Sequence, residues 1–112
     1  PLPSRPAGSP TRLTARAGQR LLAIEPNVSP YKVKLPREYV ERGEEYHATI
    51  TICVAPDGSV SSVKILKPSV PVIDRQIPKV VSLWKYRPYL VDGRPTAFCY
   101  STKYRVVRGP RE

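Results

Sequence analysis

The clearest pattern in the chain is a strict alternation of apolar and polar residues over Tyr46–Ala55. Ala48, Ile50, Ile52 and Val54 fall on one face of an extended chain, and the residues between them fall on the other. Side chains alternate between the two faces of a strand, and β-branched residues favour strands. The pattern therefore predicts a strand with one buried face.

A turn and a second strand follow at once. The sequence PDG at 56–58 combines a proline with a glycine that tolerates positive φ, which is typical of a hairpin turn. Ser59–Lys67 then alternates again and predicts the second strand. Val60 is out of phase with the later apolar positions, so we expect a bulge or a strand start near Ser61.

The next segment has helical spacing. Asp74 is placed to cap a helix over Arg75–Tyr86, and Pro78 is tolerable because it falls in the first turn. One apolar stripe runs along this predicted helix, formed by Ile77, Val80, Val81 and Trp84.

A final strand is predicted over Thr96–Val107, after a turn at Asp92-Gly93. One face of this strand carries Phe98, Tyr100, Thr102, Tyr104 and Val106. The other face carries Ala97, Cys99, Ser101, Lys103 and Arg105. The aromatic face is the one that we expect to meet the helix.

The N-terminal part is poor in regular pattern. Residues 1–20 are rich in proline and arginine and read as a flexible linker, whereas residues 21–45 carry enough apolar residues to form a strap over a core. Pro36 can start a short helical turn over Arg37–Arg42, which Gly43 would end. Residues 108–112 read as a frayed tail. The predicted domain thus spans residues 21–107, with a ββαβ core over residues 46–107.

The order of elements predicts an α+β fold with a three-stranded antiparallel sheet and one helix on one face. The third strand can lie beside the second strand, or beside the first in the order 2-1-3. Cys53 and Cys99 favour the second arrangement, because only adjacent strands bring two Cα atoms within the roughly 7 Å that a disulfide needs. The order 2-1-3 and a Cys53–Cys99 bond therefore support each other, and the bond indicates an oxidising compartment. Two free thiols remain the alternative.

The composition and charge of the chain exclude several classes of function. The chain has 112 residues with 19 Lys and Arg against 9 Asp and Glu, a net charge of +10. Two cysteines and one histidine do not make a four-ligand zinc site, and no phosphate-binding glycine loop is present. We expect no enzyme, no metal and no cofactor. The charge leaves a nucleic-acid-binding domain as a rival, but the strand tyrosines are predicted to face the helix instead of a nucleic acid.

Several residues together resemble a known family. The hairpin PDGSVSSVKIL, a helix ending in WKYRP, a glycine turn and a last strand are similar to the C-terminal domain of TonB-type energy transducers. Asp57-Gly58 matches the family's hairpin, and Trp84, Tyr86 and Pro88 match its helix-end motif. Leu35-Pro36 stands where the family has Tyr-Pro. The resemblance covers about residues 30–107.

The resemblance implies a periplasmic domain of an inner-membrane-anchored protein, driven by an inner-membrane motor complex through an upstream segment. The chain contains no methionine, and we expect any such anchoring segment to lie upstream of it. Its partner would be an outer-membrane transporter, or another envelope protein of a motility or secretion machine, and no nucleic acid. The partner's peptide would add as a strand to the free edge of the third strand.

The predicted partner-binding residues lie on that strand, the strap and the end of the helix: Lys32, Lys34, Pro36, Arg87, Ser101, Lys103 and Arg105. A homodimer formed through sheet edges is a further possibility that the sequence leaves open.

Overall fold

The computed structural model describes residues 11–26, 28, 30–42 and 45–106. Ten elements occur in these residues, in the order β1 (Thr11–Leu13), α1 (Ala15–Arg20), α2 (Arg37–Arg42), β2 (Tyr46–Val54), β3 (Val60–Lys67), α3 (Pro71–Asp74), α4 (Ile77–Val81), β4 (Tyr89–Val91), β5 (Arg94–Thr96) and β6 (Phe98–Val106).

The central strand β2 has the alternation that its sequence predicts. Ala48, Ile50, Ile52 and Val54 are buried, and the residues between them are half-buried. β2 pairs antiparallel with β3 on one side and with β6 on the other. The register with β3 shifts next to Val54, where Ser61 is the extra residue. The predicted bulge is therefore confirmed.

The sheet is larger than predicted. Its order is β1-β6-β2-β3, so the predicted 2-1-3 arrangement of the three long strands is confirmed. However, β1 adds a parallel strand outside β6, and β4 pairs with β5 in a second, two-stranded sheet. The prediction of a three-stranded antiparallel sheet is wrong, because short strands held by main-chain hydrogen bonds leave little hydrophobic pattern in the sequence.

The interpretation of residues 1–20 as a linker needs correction in its second half. Residues 11–20 form β1 and α1, and the first ten residues lie outside the described part of the chain. Thr14 caps α1, since its Oγ1 accepts a hydrogen bond from the Ala17 N–H at 3.2 Å. The buried Gly18 lets α1 sit directly on the ring of Tyr100 in β6. Because this close contact depends on a glycine, α1 packs on the sheet with few large apolar side chains of its own.

The predicted helix over Arg75–Tyr86 is also wrong in extent. Two short helices, α3 and α4, replace it, and Pro71 starts the first of them. Pro78 has no N–H to donate to the carbonyl of Asp74, so a continuous helix would lack a hydrogen bond at this point. The side chain of Gln76 occupies the break and bonds the main chain of Lys34, accepting from its N–H and donating to its C=O, both at 2.9 Å.

Asp92-Gly93 does form a turn, and both residues have positive φ. The turn joins β4 to β5, so Thr96 belongs to this hairpin and not to the last long strand. The last strand accordingly begins at Phe98, two residues later than predicted.

The core lies between the large sheet and the helices. Ile73, Ile77, Val81 and Trp84 pack there against the buried faces of β2 and β6. The predicted strap contributes the buried Val33, and five other apolar residues of the strap are partly buried against the core: Leu21, Leu22, Ile24, Tyr31 and Leu35. The helical turn over Arg37–Arg42 is confirmed, whereas Gly43 lies outside the described residues.

The disulfide between Cys53 and Cys99 is present. The two residues are directly opposite in the β2–β6 register, and their Cα atoms are 4.1 Å apart. The bond crosses the sheet on the face opposite the core, as the alternation of both strands requires.

Candidate partner-binding edge

The main-chain groups of β6 alternate between its two sides. A Cα separation as short as the 4.1 Å between Cys53 and Cys99 is typical of an antiparallel pair that exchanges no main-chain hydrogen bonds. Cys99 therefore directs its N–H and C=O away from β2. Because the direction repeats at every second residue, Ser101, Lys103 and Arg105 do the same.

β1 occupies only the first part of this outer side. It pairs with Phe98–Tyr100, and the Thr11 N–H donates to the Ala97 C=O at 3.0 Å. Beyond Tyr100, no strand in the described part of the chain lies outside β6. The prediction of a wholly free edge is wrong for the start of β6, and the open half of β6 is Ser101–Val106.

A groove of ≈ 290 Å³ runs beside the open half. Its walls come from β6 on one side and from α1 and the strap on the other. The lining residues are Gln19, Leu22, Pro26, Lys32, Val33, Trp84, Tyr100, Thr102, Lys103, Tyr104, Arg105 and Val106.

The apolar floor of the groove is held in place by hydrogen bonds. The indole Nε1–H of Trp84 donates to the Tyr31 C=O at 2.8 Å, and the Trp84 ring stacks on Tyr104. The Tyr104 hydroxyl in turn accepts from the Val33 N–H at 3.2 Å. Burial raises the pKa of Tyr104, so this hydroxyl is neutral at physiological pH. These bonds anchor the strap to Trp84 and to β6.

A tyrosine pair lies beneath the groove. The hydroxyl groups of Tyr86 and Tyr100 share a hydrogen bond of 2.6 Å. Burial raises the pKa of both groups, and the neighbouring Tyr100 adds to the shift of Tyr86. Both phenols are therefore protonated, and each satisfies the polar group of the other inside the core.

The charged residues that line the groove are all basic. Lys32, Lys103 and Arg105 line it, and no Asp or Glu is among the lining residues. Three of the seven predicted binding residues thus come together at one place.

Of the other four, Ser101 belongs to the open half of β6 but does not line the groove, and the remaining three lie elsewhere. The main chain of Lys34 bonds Gln76, Pro36 begins the segment that leads into α2, and Arg87 donates its N–H to the Leu21 C=O at 2.6 Å. The hydroxyl of Ser101 is 2.8 Å from that of Thr51 and accepts from Arg12, on the face of the sheet away from the core.

The contribution of α1 to the groove was not predicted from the sequence. Gln19 of α1 lines the groove beside Leu22 of the strap, and the Gln19 Nε2 donates to the Thr102 Oγ1 at 2.7 Å. The feature of the sequence that could have predicted α1 is Thr14. It is a good capping residue and precedes a run of Ala, Arg and Gln with high helix propensity.

The described residues contain no group of three or more His, Cys, Asp or Glu that could hold a metal ion. None of the helices described here has the length and apolar character needed to cross a membrane.

Comparison with known proteins decides the family. The sequence profile described as the Gram-negative bacterial TonB protein C-terminal matches residues 31–106, which is more than half of the chain. This chain belongs to the TonB C-terminal family. Domains of this family are in general periplasmic and interact with other envelope proteins in energy transduction. The predicted resemblance is therefore confirmed.

The fold agrees with this assignment. The solution NMR structure of the Pseudomonas aeruginosa TonB C-terminal domain is similar, with a TM-score of 0.52 and 20% sequence identity. The match covers 80% of this chain and 95% of that chain. A search of curated proteins found no match.

Proposed function

We propose that this domain binds an extended peptide of an outer-membrane transporter, or of another envelope protein, as an added strand on the open half of β6. The observation that carries the proposal is the groove beside Ser101–Val106, where one side of β6 has no strand partner in the described chain. An unpaired strand edge is a template for another extended chain.

Main-chain hydrogen bonds would hold the peptide on β6. Lys103 and Arg105 direct their N–H and C=O groups towards the groove, and Ser101 directs its C=O to the same side. An edge of this length accommodates about five residues of peptide at roughly 3.3 Å per residue. Main-chain hydrogen bonds form with almost any peptide sequence. Selectivity among peptides therefore depends on the peptide side chains that enter the groove.

The groove offers two kinds of side-chain contact. Alternate residues of an added strand face the apolar floor formed by Leu22, Val33 and Trp84, and such a pocket suits an aliphatic or aromatic residue. Lys32, Lys103 and Arg105 surround the opening and favour acidic residues in the peptide.

The same strand is suited to carry mechanical load. β6 pairs with β2 over nine residues and is joined to it by the disulfide. We propose that tension from an inner-membrane motor complex enters through the N-terminal segment and β1, which runs parallel to β6. Force along paired strands loads many hydrogen bonds at once, so the peptide can be pulled without being released early.

NMR titration of the ¹⁵N-labelled domain with peptides from periplasm-facing segments of candidate outer-membrane proteins tests this proposal. We expect shifts at Ser101–Val106, Gln19 and Val33, and none along Val60–Lys67 on the opposite sheet edge. Shifts confined to Val60–Lys67 would contradict it.

N-methylated versions of a binding peptide provide the control. Methylation of alternate residues removes the N–H groups that face β6 in one set and the solvent-facing groups in the other. Only one of the two sets should abolish binding. Equal loss or equal retention in both sets would show that the peptide does not bind as a strand.

A further inference from the structure

The large sheet has one covered face and one uncovered face. All four described helices contribute to the covered side: α3 and α4 through the core residues Ile73 and Ile77, α1 through Gly18 on Tyr100, and α2 through Tyr39 on Tyr46. The opposite face has no such layer within the described residues.

We call the uncovered side the basic sheet face. Cross-strand register aligns its residues in rows: Lys67, Thr49 and Lys103 form one row, and Lys64, Thr51 and Ser101 form the next. Arg12 and Arg105 extend the face at its two ends, opposite Cys99 and His47. Its five cations are Arg12, Lys64, Lys67, Lys103 and Arg105, and all five are exposed.

The face between these cations is polar and carries no acid. Threonine and serine residues and the disulfide lie between the cations, and the rows contain no Asp or Glu. A carboxylate at the rim, that of Glu45, lies 3.9 Å from the Nε2 of His47. A surface of exposed cations with no acid among them is complementary to the phosphates of a lipid surface.

We propose that the basic sheet face docks on an anionic phospholipid surface. A protein partner is less suitable, because the centres of protein interfaces are enriched in aromatic residues and depleted in lysine. A nucleic acid is less suitable as well, because single strands bind to sheets through stacking on aromatic residues. The aromatic residues of β6, Tyr100 and Tyr104, lie on the covered side.

One apolar side chain supports the choice of a lipid surface. Leu66 is the extra residue at the register shift beside Lys67, and it is 49% exposed at the edge of the sheet. Proteins that bind to membrane surfaces combine basic residues with exposed apolar side chains, and this patch has both.

Docking through this face is compatible with strand addition. The peptide adds to the edge of β6, whereas the lipid contacts the face, so the added strand would lie parallel to the membrane surface. The two sites share Lys103 and Arg105, whereas Arg12, Lys64 and Lys67 belong to the face alone. Lipid binding through the face can therefore be tested independently of the proposed peptide binding.

Flotation with vesicles tests the inference. The domain should bind phosphatidylcholine vesicles that contain phosphatidylglycerol, and bind pure phosphatidylcholine vesicles much more weakly. The binding should fall as salt is raised, since exposed charges are screened. Equal binding to both kinds of vesicle would overturn the proposal.

A matched pair of double variants locates the contact. Lys64→Gln with Lys67→Gln removes two cations from the face and leaves the peptide groove untouched. Each cation near an anionic surface is worth about fivefold in partitioning, so we expect the loss of two cations to weaken binding about 25-fold. Lys34→Gln with Lys79→Gln lowers the net charge equally but changes exposed residues away from this face, and should have little effect.

Each outcome decides the question. An equal loss in both double variants would show that only net charge matters and would overturn the proposal. An oligonucleotide that binds with the same affinity and the same dependence on Lys64 and Lys67 would also overturn it, because the face would then accept any polyanion. Circular dichroism confirms that both variants are folded.

Discussion

Gly18 in α1 is in direct contact with the ring of Tyr100 in β6. A Cβ atom at residue 18 would overlap the ring atoms of Tyr100. This contact joins the N-terminal helix to the strand that carries the proposed peptide site, and it places Gln19 beside Thr102. The absence of a side chain at residue 18 is therefore part of what shapes the groove.

Gly18→Ala should destabilise the domain by about 1–3 kcal/mol, because the added methyl group overlaps an aromatic ring in a packed site. At a helix position without such contacts, the same change stabilises by roughly 0.5–1 kcal/mol. Whether Gly18→Ala lowers or raises the free energy of unfolding therefore shows whether α1 packs on Tyr100. Urea unfolding measures it, with Arg16→Ala at an exposed position of the same helix as the control. A stabilised Gly18→Ala variant would show that α1 does not pack on Tyr100.

The disulfide should contribute on the order of 4 kcal/mol to stability, since the sequence separation of 46 closes a long loop in the unfolded chain. Urea unfolding of the protein and of the Cys53→Ala, Cys99→Ala double variant measures the difference. Intact mass after alkylation without reductant checks the bond itself, because two labelled thiols would show that it is not formed.

A relocated disulfide separates the effect of the bond from the effect of its position. Thr51 and Ser101 are the next directly opposed pair of the same geometric kind, two residues along. Introducing cysteine at both positions of the double alanine variant should restore most of the lost stability. Failure of the new pair to form a bond would contradict the β2–β6 register.

Two glycines with positive φ should respond differently to the same substitution. Gly58 has φ +91 and a Cβ there would overlap the Tyr86 carbonyl oxygen, whereas Gly93 has φ +78 and open space around it. Gly93→Ala should cost about 1–2 kcal/mol for its backbone conformation alone. Gly58→Ala should cost that amount and about 1–3 kcal/mol more for the overlap. Thermal unfolding compares them, and equal losses would argue against the contact between the hairpin and Tyr86.

Stability should fall in alkaline solution. Burial raises the pKa of Tyr86, Tyr100 and Tyr104, so the folded protein retains three protons that the unfolded chain releases near pH 10. Stability is therefore complete below about pH 10 and falls above it, by up to about 1.4 kcal/mol per pH unit for each tyrosine. Urea unfolding across this range tests the expectation, with intact mass confirming that the disulfide survives. A flat profile through about pH 11 would contradict the burial of these phenols.

The sequence predicted the parts of the fold that depend on hydrophobic alternation. β2, β3 and most of β6 follow from period-two patterns, and the two cysteines selected the order of these strands. The helical turn at Arg37–Arg42 and the Asp92-Gly93 turn follow from local residue preferences. These features depend on side chains a few residues apart, and such information is contained in the sequence itself.

The candidate site was predictable only in part. Lys103 and Arg105 follow from the position of the last strand, but Gln19 and Leu22 come from a segment interpreted as part linker and part strap. Their place in the groove depends on how α1 packs against Tyr100, a contact between residues 82 positions apart in the chain. No local pattern encodes such a contact.

By itself, the sequence determined the family, the long strands and their buried faces, because burial of apolar surface imposes a regular spacing on these residues. It favoured the pairing of the two cysteines, which the structure shows. Only the tertiary structure decided that β1 covers the start of β6 and that Pro78 divides the helix. It also decided that five cations share one uncovered face. These outcomes depend on main-chain hydrogen bonds and on the register between distant segments, and neither leaves a periodic signal in the sequence.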